Sequence, residues 1–286
     1  MKMDIESSYN TFTLTVENSV AHLQFSRPDK LNSMNLDFWR EFPAAIAALS
    51  MTDDLRVLVI SAQGPHFCAG MDLEVFQSPD NFPIGKEKAR VSEAMRRFIM
   101  QLQQVFTDIE QLRIPVLTAI QGGCIGGALD LIAASDMRYC TQDAFFTIKE
   151  VELGITADLG TLQRLPSILP QGIVRELAYT GRNFSAAEAD KFGLVNQVFE
   201  TQEAMLDGVL QIASQIAAHS PLAVTGSKEM LNYSRDHGVD DSLKYMATWQ
   251  AGMLCLEETM TILQAKKQRV KPELKPLRKV TGLFSG

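Results

Sequence analysis

Three carboxylates stand where the neighbouring residues do not favour charge. Asp130 falls inside the apolar run Gly126-Gly127-Ala128-Leu129-Asp130-Leu131-Ile132-Ala133-Ala134. An ionised group there is costly unless it faces a site or a partner. Glu150 and Asp158 flank Leu153-Gly154-Ile155-Thr156-Ala157, which reads as a loop. Acids of this kind can take and give protons once burial and like-charge neighbours lift their pKa from ~4 toward neutrality. Singly, each is more often a helix cap or a solvated charge. Glu152 and Asp136 are left to that simpler reading, with Arg138 as a partner for Asp136.

Two glycine-bearing segments can supply backbone donors. Phe67-Cys68-Ala69-Gly70-Met71-Asp72 follows a buried strand, and its small residues let a ligand approach the main chain. Gly122-Gly123-Cys124-Ile125-Gly126-Gly127 joins a strand to a helix, where peptide N–H groups attract negative charge. It is not a GxGxxG pattern and no lysine follows it as a phosphate loop requires, so a nucleotide site is not expected. Both segments serve equally as tight turns. The histidines His22, His66, His219 and His237 are scattered, and there is no GxSxG elbow, so a Ser-His-Asp triad has no support. The four cysteines form no CxxC pair; they read as reduced, mostly buried thiols, with no metal site expected.

The elements that must position these groups follow from apolar periodicity. Residues 11–17 and 20–26 alternate as a hairpin, and 57–61 and 115–120 are short apolar runs suited to buried strands. Residues 36–49 are helical, although Pro43 requires an early turn or a kink. Residues 86–112 carry a helical period, with Met95, Phe98, Ile99, Leu102, Val105, Phe106 and Ile109 as core candidates. A helix over 128–135 and strands over 137–140 and 145–148 follow. Beyond Phe199 the chain turns almost wholly helical, over 201–218, 221–233 and one long helix over 239–267. The expected architecture is α/β over residues 1–199 with a helical region over 200–286.

The chain has 286 residues, 46% hydrophobic and 21% charged, the proportions of an ordinary globular protein with ample core. A net charge of −7 argues against a nucleic-acid surface while leaving room for a local basic pocket. No apolar run reaches the length of a membrane span. Residues 1–10 do not resemble a secretory signal, nor does Leu283-Phe284-Ser285-Gly286 resemble a peroxisomal address. On these absences alone the expected location is cytoplasmic.

Several motifs, in order, resemble the crotonase (enoyl-CoA hydratase/isomerase) superfamily over nearly the whole chain. They are Arg27-Pro28-Asp29-Lys30-Leu31-Asn32-Ser33-Met34, the segments 67–72 and 120–127, Gln163-Arg164-Leu165-Pro166, and the stretch from Ala186-Ala187-Glu188-Ala189 to Gly193-Leu194-Val195. The resemblance implies a spiral of ββα turns with a C-terminal helical oligomerisation region, assembled as a homotrimer or a dimer of trimers. It implies an acyl-CoA substrate, with CoA arriving as part of it and no separate cofactor. It makes the backbone N–H groups of Met71 and Gly127 an oxyanion hole, and places Lys30, Ala69, Gly70, Asp72 and Gly126 around the substrate. Hydratases of the superfamily carry glutamates where this chain has Asp130 and Glu150, and commonly glycine where it has Asp158. The trio Asp130, Glu150 and Asp158 instead resembles the branch that isomerises 3,5-dienoyl-CoA to 2,4-dienoyl-CoA. That implies Glu150 as base at carbon 2, Asp158 as acid at carbon 6, and Asp130 tuning Glu150. The alternatives are an enoyl-CoA hydratase or a 3,2-enoyl-CoA isomerase of the same superfamily; a non-catalytic acyl-CoA-binding protein and a thioesterase are more distant ones.

Overall fold

The computed structural model describes residues 9–279. Most of the N-terminal stretch read for a secretory signal, and all of the C-terminal one read for a peroxisomal address, lie outside the described residues. Among the described residues the strands are β1 (Phe12–Glu17), β2 (Val20–Phe25), β3 (Val57–Ala62), β4 (Val116–Ile120), β5 (Gly123–Ile125), β6 (Met137–Thr141), β7 (Phe145–Thr147), β8 (Phe184–Ser185) and β9 (Gln197–Phe199). The helices are α1 (Leu36–Ser50), α2 (Glu74–Gln77), α3 (Lys88–Gln111), α4 (Gly127–Ala133), α5 (Thr161–Arg164), α6 (Gln171–Thr180), α7 (Ala186–Phe192), α8 (Gln202–Ala217), α9 (Pro221–Asp236), α10 (Val239–Met253) and α11 (Leu256–Gln268).

A six-stranded sheet runs β1-β2-β3-β4-β6-β9, antiparallel only at the β1–β2 hairpin. Its inner strands are covered on both faces, and so β3 and β4 read as unbroken apolar runs. Alternation sorts their side chains. Leu58, Ile60, Val116 and Ile120 enter the larger core beneath α1, α3 and α4, while Val57, Val59, Leu117 and Ala119 meet Met205, Val209 and Ala213 of α8. A second, three-stranded sheet runs β5-β7-β8. The chain therefore leaves β4 of the large sheet, crosses to β5 of the small one, and enters α4 through Gly126. The sequence segment 122–127, read as a plain strand-to-helix link, contains a strand too short for periodicity to reveal.

Three further points have physical causes. Helix α1 continues through Pro43, which is its eighth residue rather than an early-turn one. The lost hydrogen bond and ring clash cost about 3 kcal/mol, offset by the burial of Phe38, Phe42, Ala45, Ile46 and Leu49 on one face. In α3 only Val105, Phe106 and Ile109 are buried; the apolar residues of its first half are part-exposed. The single long C-terminal helix is two, broken at Leu254–Cys255. Gly252 weakens the helix there, and the break returns α11 to α9, where Glu258 accepts the Ser220 hydroxyl. Leu243, Met246, Met253, Leu256 and Met260 remain exposed on α10 and α11.

Candidate active site

Asp130 lies in the first turn of α4, and only 1% of it is exposed. Its Oδ1 accepts the backbone N–H of Thr161 at 2.6 Å. Burial pushes its pKa up to about 7; the Thr161 hydroxyl and N–H pull it back, while the charges of Glu150 and Asp158 push it further up. Glu150 opens a short 3-10 turn over Glu150–Leu153. Its pKa is raised by burial and by the charge of Asp158. Its Oε2 is buried with no hydrogen-bond partner among the described residues, a costly arrangement in a finished core but an available acceptor in a site. Asp158 is the most open of the three, and partial burial raises its pKa as well. The three carboxylates that sequence singled out thus stand near enough for their charges to act within one site.

Beside them stand the two donors. Segment 67–72 threads between residues 31–34 and β5: Ala69 N–H reaches Leu31 O at 3.0 Å, Met34 N–H reaches Gly70 O at 2.8 Å, and the main chain of Cys68 pairs with that of β5, donating to Gly123 O and accepting from Ile125 N–H, both at 3.1 Å. These bonds use the edges of the segment and leave Met71 N–H on the other side. Gly127 N–H is the first of α4, where no intrahelical acceptor exists. Neither has a protein acceptor among the described residues. They are close: a Cβ placed on Gly127 would lie 3.9 Å from Met71 N, and one on Gly70 3.2 Å from Gly127 N. Gly70 has φ +81°, and its added Cβ would sit 2.5 Å from Ile125 O, so the pairing of these two segments requires glycine here. Glu150 Oε1 lies 3.2 Å from the Cβ position of Gly126, which places the acid next to the same turn.

The remaining expected substrate residues form the rim. Asp72 is buried, and its carboxylate accepts from Ser33 Oγ at 2.8 Å and Glu74 N–H at 3.1 Å, with Arg27 3.7 Å away; Ser33, Arg27 and these contacts lower its pKa against the effect of burial. It ties the 27–34 segment to the 67–72 segment. Lys30 is exposed and pairs with Glu74 at 3.6 Å. Ala69, Gly70 and Gly126 contribute main chain.

Sequence reasoning did not single out Thr161, Gln103 or Lys228, and gave Arg164 only as part of a motif. Thr161 holds Asp130, Gln103 Nε2 donates to Asp158 O at 2.6 Å, and Arg164 bonds Glu110 at 3.1 Å and Thr107 at 3.1 Å. Lys228, 7% exposed, donates to Asp136 at 2.8 Å and to Ile114 O at 3.0 Å. Asp136 therefore takes Lys228 rather than Arg138 as its direct partner. Arg138 instead donates to the carbonyls of Leu194, Ile132 and Ser135. A cavity of about 830 Å³ lies along α9 beside Lys228 and does not include the three acids. Among the described residues no three His, Cys, Asp or Glu side chains are grouped to hold a metal ion, and no helix is long and apolar enough to cross a membrane.

Three acids, the deepest of them Asp130, thus stand beside two convergent N–H groups on a spiral of short ββα turns. Residues 15–255 match the family profile described as enoyl-CoA hydratase/isomerase, and the chain belongs to that family. Similar proteins include the peroxisomal delta(3,5)-delta(2,4)-dienoyl-CoA isomerase of Arabidopsis thaliana, 46% identical over 94% of this chain and 99% of that one. The mitochondrial delta(3,5)-delta(2,4)-dienoyl-CoA isomerase of Homo sapiens is 45% identical over 91% of this chain and 80% of that one. Among solved structures, an enoyl-CoA hydratase from Bacillus anthracis superposes with a TM-score of 0.82 at 27% identity, covering 93% of this chain and 99% of that one. The expected cytoplasmic location is corrected by these names: the similar isomerases are peroxisomal or mitochondrial. That expectation rested on an absence of recognisable sorting signals, and an absence carries no positive information about a compartment.

Proposed function

We propose that this chain is an isomerase converting 3,5-dienoyl-CoA to 2,4-dienoyl-CoA, a step in the oxidation of unsaturated fatty acids. The observation that carries this reading is the third acid: Asp158 lies in the same set as Asp130 and Glu150. Two proton sites four carbons apart need two carboxyls, whereas hydration needs a pair flanking one water. The names of the similar isomerases support the same substrate.

Glu150 takes a proton from carbon 2. The electron pair of that C–H bond spreads onto the thioester oxygen and along the diene, giving a trienolate. The N–H groups of Met71 and Gly127 meet the charge on oxygen; one such donor is typically worth about 10²–10³ in rate. Asp158, entering as the carboxylic acid, gives its proton to carbon 6. The double bonds then stand at carbons 2 and 4, Glu150 is protonated and Asp158 ionised, and exchange with solvent resets them. Asp130 holds the charge of the set in check, being itself easily protonated near neutrality. Ala69, Gly70 and Gly126 line the thioester with main chain, Asp72 braces the loop that carries Met71, and Lys30 stands at the CoA end. CoA arrives with the substrate and no other cofactor is called for. We assign the exposed apolar residues of α10 and α11 to contacts in a homotrimer or a dimer of trimers.

Glu150→Gln removes the base while keeping its shape. Turnover should fall by about 10²–10⁴; unchanged turnover rules out this assignment. Loss of isomerisation together with ready hydration of a 2-enoyl-CoA by the unaltered chain would favour the hydratase alternative.

A further inference from the structure

Helix α3 does more than cover the core. Gln103, Thr107 and Glu110 are spaced four and three residues apart, and so share one face of it. All three grip one short segment, residues 158–164. Gln103 Nε2 donates to the carbonyl of Asp158 at 2.6 Å. Thr107 Oγ1 accepts from Arg164 Nη2 at 3.1 Å, and Glu110 Oε2 accepts from Arg164 Nε at 3.3 Å and Nη2 at 3.1 Å. The Arg164–Glu110 pair is largely enclosed, with side-chain exposures of 13% and 16%, so it is not a loose surface contact. The other Glu110 oxygen pairs with Arg235 of α9.

The gripped segment carries one acid and holds another. Asp158 is its first residue. Thr161, whose N–H holds Asp130, is in its middle. Gly160 between them has φ +132°, and a Cβ there would fall 1.9 Å from Arg164 Nη1. The guanidinium is therefore folded back over the Gly160 peptide, and Arg164 N–H closes the turn on Gly160 O at 2.9 Å. The main-chain path from Asp158 to Thr161, which holds Asp130, is fixed from outside by α3.

We propose that Gln103, Glu110 and Arg164 are positioning residues for the second proton transfer: they hold segment 158–164 so that Asp158 stays aligned with the distal carbon of the bound dienoyl chain. None of them touches the reacting atoms. The proposal rests on the isomerase reading given above. It separates two steps that this reading joins, because Glu150 belongs to a different turn and is not held by α3.

The separation can be measured. With 3,5-dienoyl-CoA in deuterium oxide, a trienolate that is reprotonated at carbon 2 returns as deuterated substrate, and one protonated at carbon 6 leaves as product. The ratio of substrate deuteration to product formation reports the second transfer alone. It does not depend on the fraction of enzyme that is folded. Gln103→Met keeps the side-chain length and removes the donor. Arg164→Met leaves Glu110 still paired with Arg235. A misplacement of about 1 Å can cost about 10²-fold in a positioned reaction, so each variant should raise the ratio about 10- to 100-fold, and Arg164→Lys should fall between Arg164→Met and the unaltered chain. An unchanged ratio in both Met variants, whether or not the total rate falls, overturns the positioning role and leaves the isomerase reading standing. An unaltered chain that neither exchanges nor isomerises overturns both.

Discussion

Replacing Asp130 by Asn tests how the acid set is held. The amide has nearly the volume of the carboxyl and keeps an oxygen for the Thr161 N–H, now at 2.6 Å. What it removes is the charge. Asp130 titrates at about 7 in the folded chain against an ordinary 3.8, so the folded state binds this proton more tightly than the unfolded state does. The stability this gives is fully present below about pH 4 and is lost as pH rises through about 7. At about 1.36 kcal/mol per pKa unit, the loss approaches about 4 kcal/mol above neutrality, an upper bound because Glu150 and Asp158 share the protons. Asn does not titrate. Asp130→Asn should therefore match the unaltered chain near about pH 4.5 and exceed it by roughly 2–4 kcal/mol near about pH 8. Urea unfolding at the two pH values, at one fixed protein concentration, reads the difference directly. A gap that does not widen with pH, or a variant less stable at high pH, would refute the view that Asp130 is a buried, proton-holding group.

Other substitutions probe other parts. Gly70→Ala puts a methyl 2.5 Å from Ile125 O at a backbone φ of +81°; the strain, about 1–3 kcal/mol, should push the two donor segments apart and lower kcat by about 10²-fold, and a variant with normal kcat would contradict the placement of Met71 and Gly127. Lys228→Met leaves Asp136 without its cation; breaking such a pair costs about 3 kcal/mol, near the low end because Asp136 keeps some solvent. Thermal unfolding would show it, and an unchanged midpoint would mean that α9 is not fastened to the sheet by this contact.

Much of the frame is visible in the amino-acid order because its local and global preferences agree. Strands β3 and β4 are unbroken apolar runs, and the β1–β2 hairpin alternates cleanly. Strands β5 and β8 are hidden, being three and two residues long and defined only by distant partners. The break at Leu254–Cys255 is hidden too, since the apolar period continues across it. In the site, Asp130 announces itself by conflict: a carboxyl in an apolar helix. Thr161 and Gln103 do not, because each is an ordinary polar residue until folding joins positions 31 and 55 residues apart. The Arg164 motif is legible as a resemblance, while its grip on Gly160 and Glu110 is a property of three dimensions. Lys228 looks like any helical lysine before α9 is laid against Asp136.

The central claim is that this acid set moves protons along a conjugated chain. Purified protein mixed with 3,5-dienoyl-CoA should produce the ultraviolet absorbance of a 2,4-dienoyl thioester, and Asp158→Asn should abolish that rise while leaving the fold intact. No rise from the unaltered chain, or an equal rise from Asp158→Asn, would contradict it.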